Sequence, residues 1–290
     1  MQPVWSKLNK DPYAYVKHLK KDKLEEIIRL ANEDYYNDES KLSDEIYDMI
    51  KNMLEYKYPN SELLTNVGAE VTSQKVKLPV YMGSMDKLKP DTRSLDNWFA
   101  KYSGPYITSH KLDGISLLLD YNHSPPKAYT RGNGKEGQDI SWIIKYIKVG
   151  KLNSGIVRGE LIVSKQNWKK INHISQNPRN FVSGYVSRKK ISLKWMKYID
   201  FVAYEYIHKT DKKSIGDQLV FLTQKGFNVV EFSKHTTINS KILSDMLLKS
   251  RKNSKYEIDG IIISDDEVHP RVKGKNPDHA KAFKMILDDQ

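Results

Sequence analysis

Lys111-Leu112-Asp113-Gly114 lies inside the strand-like run 106–121 and sets a primary amine two residues before an Asp-Gly pair. A lysine so placed is a candidate nucleophile for covalent catalysis. On a half-buried strand, however, a lysine is more often a solvated residue of the outer face, so these four residues carry weight only with companions. Those companions follow in order: Thr130-Arg131-Gly132-Asn133-Gly134, Val157-Arg158-Gly159-Glu160, Asn177-Pro178-Arg179-Asn180, Glu257-Ile258-Asp259-Gly260 and Ala282-Phe283-Lys284. Asp113-Gly114 or Asp259-Gly260, met alone, reads as an ordinary strand-end turn.

The glycines around Arg131 let a backbone approach a nucleotide, while a guanidinium can bind phosphate or ribose oxygens. In isolation the loop is a glycine-rich hairpin turn. Gly132-Asn133-Gly134-Lys135-Glu136-Gly137 also fits the dinucleotide fingerprint, with Glu160 following roughly 20 residues on, where a ribose-binding acid would sit. That fingerprint normally links the first strand of a repeating strand–helix unit to its helix, and no such unit surrounds it here. A Rossmann oxidoreductase is therefore the weaker reading.

The elements that must position these residues are legible from periodicity. Asp22 and Glu25 have capping-box spacing, and Leu24, Ile27, Ile28 and Ala31 fall on one helical face. Ser43 to Tyr58 reads as a second helix stopped by Pro59, with Asn37-Asp38-Glu39-Ser40 as a polar turn between the two. Further on, strand-like runs near 106–121, 156–164, 199–207 and 257–264 mix with helix-like stretches near 92–102, 165–174, 214–225 and 240–250. They do not alternate regularly, which argues against a parallel doubly wound sheet. The expectation is a small α-helical subdomain, a linker near 59–78 and a larger α+β domain.

The 290 residues suffice for a buried core in one large domain or two. With no cysteine there is neither disulfide nor cysteine-ligated zinc. No apolar run approaches the ~18 residues that span a bilayer, and Met1-Gln2-Pro3-Val4-Trp5-Ser6 lacks a signal-peptide pattern, so a soluble, intracellular (cytoplasmic) protein is expected. The 48 Lys+Arg against 36 Asp+Glu give a net charge of +12, which favours a polyanionic partner through counterion release. The densest basic cluster is Arg188-Lys189-Lys190 with Lys194 and Lys197.

The ordered motifs from about Leu24 to Lys284 resemble the nucleotidyltransferase core of NAD-dependent DNA ligases. The resemblance implies a helical subdomain over 1–75 that recognises nicotinamide mononucleotide (NMN), and an adenylation domain over 76–290 built of antiparallel sheets flanked by helices. By the same resemblance Lys111 is the nucleophile that becomes adenylated, Glu160 binds the ribose and Lys284 contacts the α-phosphate. Asp113 and Asp259 orient the site or help to position Mg2+. Ser84-Met85-Asp86 is similar to an element near the adenine pocket, where Ser109 also falls, and Arg131 and Arg179 supply positive charge. A neutral lysine amine is required for the attack, whereas a lysine side chain ordinarily titrates near ~10.4. Burial and neighbouring cations lower that value.

Tyr35, Asp44, Tyr47 and Asp48 match the family's NMN pattern, in which tyrosines stack on the nicotinamide ring and carboxylates hold ribose hydroxyls or attract the cationic ring. The plainer reading is an amphipathic helix hairpin with Tyr47 in its core. Several positions depart from the family. Tyr36 stands where histidine is usual, Ser109 where glutamate is usual and Ser264 where lysine is usual, with Lys273, Lys275 and Lys281 as possible substitutes for the missing charge. Phe181-Val182-Ser183-Gly184 is bulkier than the usual alanine run, and Ser187 stands where arginine is expected, with Arg188 one place later. The Lys/Asn/Ile-rich composition suggests an AT-rich genome, such as a viral one.

The implied partner is nicked double-stranded DNA. The sequence stops six residues after Lys284, so the OB and helix-hairpin-helix domains of full ligases are expected in a missing C-terminal region or a second polypeptide. The alternative from another class is a non-catalytic nucleotide- or nucleic-acid-binding module. The two serine replacements favour that reading, and the retained Lys111, Glu160 and Lys284 do not fit it.

Overall fold

The computed structural model describes residues 5–36, 42–64, 69–70, 75–88, 92–187, 190–191 and 193–284. Its contacts divide the chain into two units, residues 1–71 with 169–195, and residues 72–168 with 196–290. Among the described residues no helix is long and apolar enough to cross a membrane.

In the first unit, helices Lys21–Tyr36 and Asp44–Lys57 pack Leu24, Ile27, Ile28, Ile50, Met53 and Leu54 into one apolar core. Ser43 caps the second helix by accepting from the Ile46 amide, and Tyr58 ends it, as the sequence predicts. The expected capping box at Asp22 does not form. The first helix starts at Lys21, so Asp22 lies in its first turn, where its charge complements the helix dipole. Glu25 instead accepts from Ser61 Oγ at 2.7 Å. The turn expected at 37–40 lies outside the described residues.

Residues 169–195 cluster with these helices rather than with the remainder of 76–290. The reason is aromatic. Phe181 stacks on Tyr56 at 4.8 Å, Trp195 meets Tyr56 edge-on, and the Tyr56 hydroxyl donates to the Phe181 carbonyl. Phe181 and Val182, the bulky replacements in the alanine run, are fully buried. The motif Asn177-Pro178-Arg179-Asn180 is a helix start: Asn177 caps helix Pro178–Val186 by accepting from the Asn180 amide at 2.7 Å, and Pro178 occupies the first turn, where its missing N–H costs nothing.

Besides a two-stranded ribbon of Lys75–Lys77 with Glu136–Gln138, the second unit holds two larger sheets. One has the strand order Phe232–His235, Tyr106–Leu112, Ile258–Asp265, Ala280–Phe283 and Lys87–Leu88, antiparallel except for the last pair. The other has the order Ile199–Ile207, Ile156–Val163, Ile115–Asp120 and Lys127–Thr130, antiparallel throughout. A shared core joins Ile107, Leu112, Ile261 and Ile263 of the first sheet to Ile162 and Val202 of the second. Trp98, Leu219, Leu243 and Leu247 add the apolar faces of helices Thr92–Lys101, Ile215–Gln224 and Ser240–Asn253. The fold is α+β, and the doubly wound alternative is excluded by the antiparallel pairing.

Candidate active site

Lys111 stands near the end of strand Tyr106–Leu112, opposite Gly260. The pairing passes from Ile258 opposite Leu112 directly to Gly260 opposite Lys111, so Asp259 is the extra residue of a β-bulge. Bulges re-aim side chains. Here Asp259 Oδ1 lies 3.0 Å from Lys111 Nζ, and Asp259 Oδ2 accepts from Lys284 Nζ at 2.6 Å. The three side chains are 28%, 29% and 27% exposed, so a ligand could reach them while their mutual attraction stays stronger than at an open surface. Burial alone would push the Asp259 carboxyl up. The hydrogen bond from Lys284 and the charge of Lys111 outweigh burial and hold it below the usual carboxylate range.

The motif glycines permit these approaches. A Cβ on Gly260 would stand 2.7 Å from the Phe283 carbonyl oxygen and 3.1 Å from Lys284 Cγ. One on Gly114 would stand 2.4 Å from the Leu161 carbonyl oxygen and 2.8 Å from Glu160 Cγ. Glu160 is buried on strand Ile156–Val163 and accepts from Ser116 Oγ at 3.3 Å. Asp113 donates its backbone N–H to the Glu257 carbonyl.

The Arg131 loop joins strands Lys127–Thr130 and Glu136–Gln138, not a strand and a helix, so the dinucleotide fingerprint lacks its context. Asn133 Oδ1 accepts from the Lys135 and Glu136 amides, and Gly132 has φ +51° with no room for a Cβ against the Glu136 carbonyl. Arg131 is exposed on this loop. Ser84 donates its amide to Asn276 Oδ1 at 2.9 Å, and Met85 beside it is half-buried.

Tyr47 is half-buried, packed against the helical core, and Asp48 is exposed on the same helix. Tyr35 and Asp44 belong to the two long helices, and their side chains, with that of Tyr36, lie outside the described residues. Arg179 is exposed at the start of its helix in the first unit, while Lys111, Asp113, Glu160, Asp259 and Lys284 all belong to the second.

Cross-strand partners share a sheet face. Ser109 opposes Ile262 and Ser264 opposes Ile107, so both serines share the face of Lys111. Of the three lysines considered as substitutes for the charge absent at Ser264, Lys281 opposes Ile263, on the other face, and is held by Asp86 and Asp278. Lys273 and Lys275 are exposed in the preceding loop. Lys234 does share the face, opposite Ile107 from the edge strand, with its Nζ 2.8 Å from Asp266, and Lys87, opposite Ala282, shares it too. No motif marks Lys234, and only strand register finds it. Arg158 lies within the Val157-Arg158-Gly159-Glu160 motif, while its neighbours Glu205, Arg271 and Asn276 lie in segments with no local sequence signature.

Among the described residues no three His, Asp or Glu side chains converge in a way that could hold a metal ion. Mg2+ commonly needs only one or two carboxylates plus substrate phosphates. Asp259 Oδ2 accepts from both Lys111 and Lys284, whereas its buried Oδ1 has no hydrogen-bond partner among the described residues, so Oδ1, Asp113 and the phosphates of a bound nucleotide are the fitting donors.

A family model described as NAD-dependent DNA ligase adenylation domain matches residues 82–286. The chain is 39% identical over 287 residues to a DNA ligase of Acanthamoeba polyphaga mimivirus, covering 96% of this chain and 45% of that protein. It is 36% identical over 274 residues to putative DNA ligase 205R of Invertebrate iridescent virus 6, covering 89% and 43%. With a DNA ligase of Clostridioides difficile (strain 630) the identity is 29%, covering 91% and 45%. The chain thus spans under half the length of the curated relatives it matches. Among solved structures, a putative ATP-dependent DNA ligase from Aquifex aeolicus superposes with a TM-score of 0.45 at 10% identity, over 70% of this chain and 49% of that one. That likeness is too low to argue from.

Proposed function

Because the chain belongs to the family of NAD-dependent DNA ligase adenylation domains, we propose that it carries out the first step of ligation, transfer of AMP from NAD to Lys111. The observation that carries this reading is the shared carboxylate: Asp259 holds both Lys111 and Lys284, at 3.0 Å and 2.6 Å. In the reaction the neutral Lys111 amine attacks the α-phosphorus beside adenosine. A P–N bond forms, the bond to the bridging oxygen breaks, NMN leaves with that oxygen, and the displaced amine proton passes to solvent or to a nearby base. Lys284 is placed to stabilise charge on the α-phosphate. Glu160, oriented by Ser116, accepts from ribose hydroxyls, and Arg131 supplies a further cation from its exposed loop. When bound, Mg2+ would neutralise phosphate charge, with Asp113 and Asp259 Oδ1 as its protein contacts.

On this reading Tyr35, Asp44, Tyr47 and Asp48 recognise NMN from the helical region 1–75, and Arg179 adds phosphate contact. The lysyl adenylate then serves nick joining on DNA together with the remaining length present in the relatives. Intact-mass analysis after incubation with NAD and Mg2+ tests the first step: one adenylyl group should appear on the wild-type chain and be absent from Lys111→Ala. An unmodified wild-type mass would favour the non-catalytic binding reading, to which Ser109 and Ser264 lend their only support.

A further inference from the structure

We infer that Arg158 and Glu205 form a positioning pair that fixes segment 81–86 against the Glu160 strand and thereby sets the nucleotide site. The inference rests on the adenylation reading, because segment 81–86 contains Ser84 and Met85. Arg158 lies two residues before Glu160 and so projects from the same face of strand Ile156–Val163. It is 7% exposed. Its Nη1 donates to Glu205 Oε2 at 2.8 Å, and its Nη2 donates to the Gly83 carbonyl at 2.9 Å.

A second β-bulge brings Glu205 there. The pairing passes from Ala203 opposite Gly159 to Glu205 opposite Arg158, which makes Tyr204 the extra residue. With regular pairing Tyr204 would oppose Arg158 and Glu205 would be displaced to Val157. Arg271 approaches the other oxygen of the same carboxylate at 3.4 Å and donates to the Tyr81 carbonyl at 3.2 Å. One acid therefore organises two guanidinium groups, and each holds a backbone carbonyl of the same segment. Asn276 adds a third tie, accepting from the Ser84 amide and donating to Asp86 Oδ1 at 2.8 Å. On its other side the segment reaches the Arg131 loop, through the Met82 amide and the Gly134 carbonyl.

A buried ion pair contributes little net stability once desolvation is counted. What this one supplies is placement, because side chains rather than a strand ladder hold the carbonyls of Tyr81 and Gly83. Lysine could keep the charge at 158 but not the planar fork that reaches both acceptors.

The test uses residues 1–290 as wild type, Arg158→Lys, Glu205→Gln, Asn276→Ala and the Arg158→Lys/Asn276→Ala double variant. Amide exchange in segment 81–86 should quicken by about tenfold in Arg158→Lys with exchange elsewhere little changed. In single-turnover adenylation assays the NAD concentration giving half-maximal rate (KM) should rise by about tenfold while the limiting rate (kcat) changes less than about threefold, the signature of lost binding without lost transition-state contact. The pH profile of kcat should not move, since Lys111, Asp259 and Lys284 are untouched. The double variant should raise KM by less than the product of the two single effects, because both act through one segment. Wild-type exchange in segment 81–86 of Arg158→Lys, or uniform destabilisation with KM unmoved, overturns the proposal. Should the wild-type chain form no adenylate, the adenylation reading fails and the exchange measurement alone still decides the positioning role.

Discussion

Lys284 reaches the carboxylate that holds Lys111: its Nζ lies 2.6 Å from Asp259 Oδ2, and Lys111 Nζ lies 3.0 Å from Oδ1 of the same group. One bulge acid thus draws two cations together. Asp259→Asn should lower the adenylation rate by about 10²-fold or more, and Lys284→Ala by a similar factor. The double variant should lose less than the product of the singles because the three groups act as a unit. The Asp259 carboxyl is held below its ordinary value, so its stabilising contribution is present above that value, near ~3.9, and is lost as pH falls through the lower folded one. With each side chain part-exposed, the stability change in Asp259→Asn should stay near ~1 kcal/mol. Single-turnover labelling and urea denaturation at pH 7 measure the two effects.

Lys111→Arg should be as inactive as Lys111→Ala, because a guanidinium stays protonated and has no amine to offer. NAD should label the wild type far better than ATP does, and Tyr47→Ala with Asp48→Ala should selectively impair NAD. Equal labelling by both nucleotides in the unaltered chain would remove the basis for NMN recognition.

Gly114→Ala and Gly260→Ala should each destabilise the second unit by about 1–3 kcal/mol, since the added Cβ meets a backbone oxygen at 2.4 Å or 2.7 Å with no flexible side chain to yield. Gly274→Ala offers a contrast. Its Cβ would meet nothing within 4 Å, so its cost comes only from φ +71°. Chemical denaturation of the three variants should rank Gly274 mildest.

Burial, helped by His269 stacked at 4.2 Å, pushes His279 down to about 4, against the pull of Glu205, Asp265 and Asp278. The unfolded chain then binds the proton first, so stability should fall as pH drops from about 6.5 towards 4. Replacing His279 with Gln should flatten that part of a thermal-melting profile, and an unchanged slope would show that other groups set it.

Residues 1–290 assayed alone should seal nicked DNA poorly even where labelling is complete. Sealing needs the 5′-phosphate and 3′-hydroxyl held in line with the adenylate, and loss of such alignment costs ~7 kcal/mol or more. The relatives carry more than twice the length aligned here, as coverages of 45% and 43% show. Efficient multiple-turnover sealing, with a Lys111→Ala preparation as the inactive control, would contradict this expectation.

Local chemistry determined much of this protein in advance. The helix at Asp44–Lys57 needed only Ser43, Pro59 and a periodic apolar face, and the long strands needed only their β-branched runs. The order of Lys111, Glu160, Asp259 and Lys284 was equally plain, because backbone turns and reactive side chains leave short signatures. Tertiary structure alone decided which of these meet. Asp259 reaches Lys111 across 148 residues through a bulge that periodicity cannot register. Residues 169–195 joined the helical unit because Phe181 and Trp195 had Tyr56 to pack against, a partner far away in sequence. Arg158, Glu205 and Arg271 act on one segment only after two strands and a loop have been folded together. Lys234 shares the Lys111 face by strand register alone, which is a property of the sheet and of no single segment.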